Sequence, residues 1–240
     1  KVMAAIVAFV SQKGGVGKST LARALAREAA AGGLRVKIAD LDTQQGTSVD
    51  WHRLRLSQFI EPVVSAEAFA TAAQALEAAQ GYDLLIIDGP ARTSSATLDI
   101  ARAADLVVQP SGASRDDLIP AVREFHALTK AGVPGERLAF ALNRIGTPAE
   151  EVAARVYLQQ AGYTVLDGSL RARPAYRQAQ STGHSVTGPR FAGLNARADT
   201  ADIGRGQRQP GRTGGCASCA GAGTSAGTGE AAEDGRYRQG

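Results

Sequence analysis

The chain has 240 residues, 44% of them hydrophobic, with 27 Lys and Arg against 23 Asp and Glu and a formal net charge of +4. That length suits one domain with an appendage, the apolar share is ordinary for a globular core, and the mild basicity permits a local nucleic-acid patch without demanding one. Two cysteines, Cys216 and Cys219, exclude a disulfide framework, and no run reaches the roughly 18–20 apolar residues of a membrane span.

Met3–Val10 is an apolar run behind Lys1. It is short for the core of a signal peptide and leads straight into a glycine-rich turn, so it is predicted as the first strand, in a reducing cytoplasm. Residues 13–20 then read Lys13-Gly14-Gly15-Val16-Gly17-Lys18-Ser19-Thr20. A glycine-rich turn between a strand and a helix aims several backbone N–H groups at one spot. Anions bind there because those donors have no helical partner and the helix dipole adds partial positive charge. Lys18 supplies a point charge for outer phosphates, and the Ser19 hydroxyl suits Mg²⁺. The first glycine of the usual G-x-x-x-x-G-K-[ST] pattern is replaced by Gln12, and a second lysine, Lys13, stands at the loop entrance.

Leu21, Leu25 and Ala29 recur at helical spacing, and Gly32-Gly33 ends that helix. Arg35–Asp40 is predicted as the second strand, delivering Asp40 and Asp42 to its carboxyl end. Helices are predicted over Ser48–Gln58 and over the alanine-rich Glu67–Ala79. Leu84–Asp88 is a continuous apolar run, as in a central strand buried on both faces, and Asp105–Gln109 and Leu138–Asn143 repeat the pattern. Asp88 ends its strand as a carboxylate in apolar company, which is costly without a partner, and a water bridge to Mg²⁺ is the simplest one. Asp116–Lys130 and Ala149–Ala161 supply helices, with Pro120 bending the first or lying in its opening turn. Val165-Leu166 reads as a short last strand, followed by an arginine-rich stretch and a final helix near Tyr176–Ser181. The alternation predicts an α/β fold, the three-layer P-loop NTPase arrangement with a mostly parallel central sheet and helices on both faces. Ligands sit outside the carboxyl ends of such strands, where the loop, Asp42, Asp88 and Asn143 all fall.

With its paired lysines, Lys13–Thr20 resembles the deviant Walker A loop of the ParA/MinD family of dimerising ATPases. Further segments match in order: Ile38-Ala39-Asp40-Leu41-Asp42 with Gln44, Tyr82–Asp88, Ala104–Pro110, Ala141–Arg144, and Arg173-Pro174-Ala175-Tyr176 through Gly183. The resemblance spans residues 3–199 and is nearest to small plasmid-partition ParA proteins without an N-terminal DNA-binding domain. Thr43 departs from the common proline, and Gly89-Pro90-Ala91 from the common Thr-Pro-Pro.

The resemblance implies ATP and Mg²⁺ as ligands and a slow, partner-stimulated ATPase. Gly14, Gly15, Val16, Gly17, Lys18, Ser19 and Thr20 would hold the phosphates, with Thr20 toward the α-phosphate. Lys13 would reach across a two-fold interface to the partner subunit's nucleotide. Asp42 would orient the attacking water, with Asp40 in the magnesium environment and Asp88 as the Walker B residue. Asn143 would read the adenine edge; its other reading is a turn-forming asparagine. Arg171, Arg173, Arg177 and Arg190 would bind DNA without sequence preference; a solvated basic face or internal ion pairs is the alternative. The implied partners are a second copy with ATP bound, nonspecific DNA of the nucleoid, and a ParB-type centromere-binding protein. A MinD-like ATPase positioning division or membrane-associated machinery is the competing reading. It needs an amphipathic membrane helix, and the glycine-rich C-terminal stretch has no such face, so no stable membrane anchor is expected.

Residues 1–199 are therefore expected to form the ATPase domain. Across 200–240 the only branched aliphatic residue is Ile203, too little apolar surface to offset ordering entropy, so a disordered tail is expected. The helical pattern stops after Asp199, through a reading-frame change or as a real extension. Cys216 and Cys219 lack a second pair and read as incidental, Trp51 reads as packing, and His52, His126 and His184 form no constellation.

Overall fold

The structure, a computed structural model, describes residues 3–43, 46–90 and 95–188. Gln44, Ala91, Arg190, Cys216, Cys219 and the whole 200–240 tail lie outside the described residues.

In chain order the elements are β1 (Ala5–Phe9), α1 (Lys18–Ala31), β2 (Val36–Asp40), α2 (Thr47–Ser57), β3 (Ser65–Ala68), α3 (Ala72–Glu77) and β4 (Leu84–Asp88). There follow α4 (Ser95–Ala103), β5 (Leu106–Ser111), α5 (Arg115–Lys130), a 3-10 turn at Gly135–Arg137, β6 (Leu138–Ile145), α6 (Pro148–Gln160), β7 (Thr164–Arg171) and α7 (Pro174–Ser181). The strands form one seven-stranded sheet in the order β3-β2-β4-β1-β5-β6-β7, and every pairing is parallel.

β4 lies at the heart of this sheet, and all five of its residues are buried. Its side chains alternate between two cores, one on each face of the sheet. Leu85 and Ile87 pack with Ile100, Phe125, Phe140 and Leu158. Leu84 and Ile86 pack with Phe9, Leu21, Ile38, Trp51 and Tyr176 on the other face. Each fully buried Leu, Ile or Phe stabilises by about 1.5–3 kcal/mol, so the sandwiching helices hold the sheet rather than its own ladder alone. The register then positions the site: Asp40 pairs with Asp88, and Asp88 pairs with Phe9 at the mouth of the loop. Three strand ends thus open at one level.

Two expectations need correction, one of the two places given for Pro120 falls away, and one helix stands outside the predicted elements. Glu67 and Ala68 are not helical: Ser65–Ala68 adds an edge strand to β2, with Asp40 opposite Ala68. Alanine content favours a helix locally, but pairing with β2 overrides it. The helix is only Ala72–Glu77, begun by Thr71, whose side chain accepts from the Gln74 N–H. The short last strand at Val165-Leu166 is instead the eight-residue β7, which follows β6 with shifts of register and carries Arg171 at its end. Pro120 lies past the first turn of α5, which Ser114 caps through the Asp117 N–H, and the helix runs on to Lys130. Finally, α4 had no counterpart in the predicted elements. Trp51 is buried as expected, and its indole N–H donates to the His184 carbonyl at 3.1 Å.

Candidate functional site

The loop leaves β1 held at its base: Val10 N–H donates to the Val108 carbonyl, and Lys13 N–H to Ser11 Oγ. It must then turn sharply into α1. Gly17 makes that turn with φ +107°, and a Cβ there would run into the Asn143 side-chain amide, so glycine is required twice over. As N-cap of α1, Gly17 brings no capping side chain, and the first turn carries no acidic residue. The first amide groups of α1 are thus left for an anion. They border a cavity of about 260 Å³ whose wall includes Gly14, Lys18, Ser19, Asp42 and Gly89. Lys18 is 8% exposed; burial pulls its pKa down, opposed by the charges of Asp88, Asp42 and Glu124.

The acidic side is built around Ser48, at the start of α2. Asp40 is fully buried and accepts the Asp42 N–H on Oδ1 (3.0 Å) and the Ser48 N–H on Oδ2 (2.9 Å). Burial raises its pKa, and those backbone hydrogen bonds oppose the rise. Gly46 begins α2 without a side-chain cap, so Asp40 supplies from β2 the acceptor that the helix lacks. The Ser48 hydroxyl donates to Asp88 Oδ2 at 2.7 Å. Arg23 Nε reaches the same hydroxyl at 3.3 Å, and Arg23 Nη1 donates to Gln180 Oε1, whose amide in turn donates to Thr20 Oγ1. Thr20 keeps its own O–H for a ligand. Thr47 donates to Ser19 Oγ at 3.3 Å.

Asp88 is 2% exposed, and its Oδ1 has no hydrogen-bond partner. Burial pushes its pKa up to about 6; the Ser48 and Ser19 hydroxyls act against the rise, Asp40 adds to it, and Arg23 opposes it. An orphaned buried carboxylate oxygen beside a serine hydroxyl, at the foot of an anion cradle, fits Mg²⁺, which takes one or two protein oxygens and completes its shell with phosphates and water. No cluster of three or more His, Cys, Asp or Glu suited to a metal occurs among the described residues. Asp40, expected in the magnesium environment, stands opposite Asp88 in the sheet and accepts the Asp42 and Ser48 N–H groups.

At the end of β6, Asn143 is 5% exposed. Its Nδ2 donates to the Val16 carbonyl at 2.7 Å and its Oδ1 accepts the Arg144 N–H at 2.9 Å. The amide braces the phosphate loop and has one N–H left for a base. Beside it opens a cavity of about 430 Å³ lined by Thr20, Asn143, Arg144, Tyr176 and three of the four arginines expected to meet DNA. Arg171 has a side chain 15% exposed and pairs with Glu151 at 3.6 Å, which matches the internal ion pair given as its alternative reading. Arg173 and Arg177 are exposed at the cavity rim.

Lys13 Nζ lies 2.5 Å from Asp117 Oδ1, with half of the lysine side chain in solvent. Burial raises the Asp117 pKa, but hydrogen bonds from Lys13 and Ser114 outweigh it and hold the carboxyl below its usual range. Sequence reasoning missed Ser48, Arg23, Gln180, Asp117 and Glu124. Gln180 lies in the matching 173–183 segment without a role of its own there, the other four stand in no motif, and strand register and helix packing bring all five to the loop.

A family model described as the CobQ/CobB/MinD/ParA nucleotide binding domain matches residues 7–186. Maintenance of carboxysome distribution protein A from Gloeobacter kilaueensis is 29% identical over 201 residues, which cover 83% of this chain and 91% of that protein. MinD from Pyrococcus horikoshii OT3, solved with Mg-ADP, shares the fold with a TM-score of 0.63 at 17% identity, covering 83% of this chain and 94% of that one. A Cyanothece McdA variant solved with ATP gives 0.62 at 15% identity, covering 84% and 96%.

Proposed function

This chain belongs to the CobQ/CobB/MinD/ParA family of nucleotide-binding domains, and we propose that it is a Mg-ATP-dependent, dimerising partition ATPase. In its ATP state it binds nonspecific DNA, and with a ParB-type partner it segregates plasmid or chromosomal DNA. The observation that carries the reading is the unpartnered Asp88 Oδ1 beside the Lys18–Ser19 corner of an uncapped helix start. The ATP and Mg-ADP bound by two proteins of the same fold favour the same ligands here.

In this reading the amides of Gly14–Ser19 orient the triphosphate, and Lys18 offsets charge on its outer phosphates. Ser19 and Asp88 would hold Mg²⁺. When bound, the ion neutralises charge between the β- and γ-phosphates. Asp42, held at the cavity wall by its backbone bond to Asp40, aims the attacking water. Asn143 keeps the loop in shape and offers its remaining N–H to the base. Lys13 leaves Asp117 and crosses to the partner subunit's nucleotide, which makes the dimer conditional on ATP. Two copies joined face to face double the basic surface that Arg173 and Arg177 offer to DNA, and joined phosphate contacts act together. Stimulated hydrolysis removes the preference for the dimer and releases the DNA.

The likeness to a carboxysome distribution protein favours a second reading, in which the same cycle positions a protein cargo. Among the described residues no helix is long and apolar enough to cross a membrane. The test is DNA affinity with ADP, ATP and a nonhydrolysable analogue at two salt concentrations. Tight, salt-sensitive binding with ATP and the analogue alone is expected. Affinity indifferent to the nucleotide would sink the proposal.

A further inference from the structure

We propose that Glu124 is a positioning residue that pins the entrance of the phosphate loop to α5. Its side chain is 1% exposed, on the helix face that also buries Leu118, Ala121, Val122, Phe125 and Leu128. A carboxylate among such neighbours is retained only where strong donors meet it. Two do: Oε2 accepts the Gln12 backbone N–H at 2.9 Å and the Gln109 side-chain amide at 2.8 Å. The Gln109 Oε1 is buried with no partner, so the Gln109 amide is aimed by the carboxylate and by nothing on its other side.

Gln12 stands where the usual loop pattern has its first glycine. Pinning its N–H fixes the main chain directly before Lys13. Asp117, about two turns earlier on α5, takes the Lys13 ammonium. One helix therefore grips the loop entrance at two points, a main-chain grip by Glu124 and a side-chain grip by Asp117. The two differ in strength: the Asp117 pair is half in solvent and easily exchanged, whereas the Glu124 bonds are buried and charge-assisted. This rests on the proposed exchange of Lys13 between subunits. In that exchange the side chain swings while Glu124 keeps the backbone beneath it still. As a positioning residue, Glu124 acts on the loop entrance through the Gln12 N–H.

The test uses the full chain with Glu124→Ala and Glu124→Gln. Amide hydrogen exchange is read at Gln12 in the nucleotide-free protein, alongside ATP-dependent dimerisation by ultracentrifugation. In E124A, Gln12 should exchange roughly tenfold to a hundredfold faster while the amides of α5 keep their protection, and dimerisation should weaken at least about tenfold. E124Q should recover part of both, because its carbonyl still accepts the Gln12 N–H. A folded E124A with wild-type Gln12 exchange and dimerisation overturns the proposal. If E124A does not fold, Glu124→Gln decides: Gln12 should still exchange faster than in the wild type, because the charge assistance is lost, and unchanged exchange and dimerisation there overturn the proposal too. If the wild type takes no Mg-ATP, the ATPase reading fails separately, and the exchange data still judge Glu124.

Discussion

Ser48 holds Asp88: its hydroxyl donates to one carboxylate oxygen at 2.7 Å and leaves the other without a partner. The same residue gives its backbone N–H to Asp40, so the start of α2 is tied to two strand ends at once. A segment carrying Asp42 is thereby coupled to the carboxylate proposed for Mg²⁺, and the desolvation cost held at Asp88 is expected to fall when a cation binds there.

Asp88→Asn should make the empty protein more stable and useless for Mg²⁺. Asp88 has its folded pKa raised from 3.8 to about 6. A raised carboxyl favours the fold most below the unfolded pKa, and that contribution is lost as pH climbs from about 4 through about 6. Ionised at pH 7, the buried group therefore costs on the order of 3 kcal/mol. Denaturant melts should show D88N more stable than wild type at pH 7, with the difference closing toward pH 4, while Mg-dependent ATP binding is lost. Equal stability at pH 7 would contradict the burial argument.

Lys13 and Asp117 yield a paired prediction. The pair is half exposed, so breaking it changes stability by about 0–1 kcal/mol. Asp117→Asn should leave the fold alone and raise ATP-dependent dimerisation a few-fold, because it releases the lysine. Lys13→Gln should spare nucleotide binding by the monomer and abolish the dimer. Sedimentation of both variants with ATP checks this, and dimerisation unchanged in K13Q removes the lysine from the interface.

Asp42→Ala should keep ATP bound and stall its hydrolysis, holding the protein dimeric and on DNA. Phosphate release measured beside nucleotide retention separates these effects. Normal turnover would strip Asp42 of its assignment.

Arg173→Ala and Arg177→Ala should each weaken DNA binding uniformly across sequences and flatten the salt slope by about one. Both side chains stand at the rim of the cavity beside Asn143. A fall in nucleotide affinity with the salt slope intact would reassign them to the nucleotide. Arg171→Ala should instead lower stability, since Glu151 loses a cation while keeping Arg155.

Much of this was legible in consecutive residues. Apolar runs such as Leu84–Asp88 announced buried strands, and the glycines between Met3–Val10 and Leu21 announced a loop whose main chain needs left-handed turns. Those properties are local, because φ, helix spacing and strand burial are each decided within a few residues. What the chain alone could not disclose depends on register and packing between distant segments. Ser65–Ala68 is a strand only because β2 offers it an edge, and Asn143 braces Val16 from across the loop. Arg171 turns to Glu151 because β7 runs beside α6, so its charge is paired within the fold. Composition and motif told which chemistry was present; three aligned strand ends decided which oxygens and ammonium groups meet, because hydrogen bonds and buried charges are satisfied through space and not along the chain.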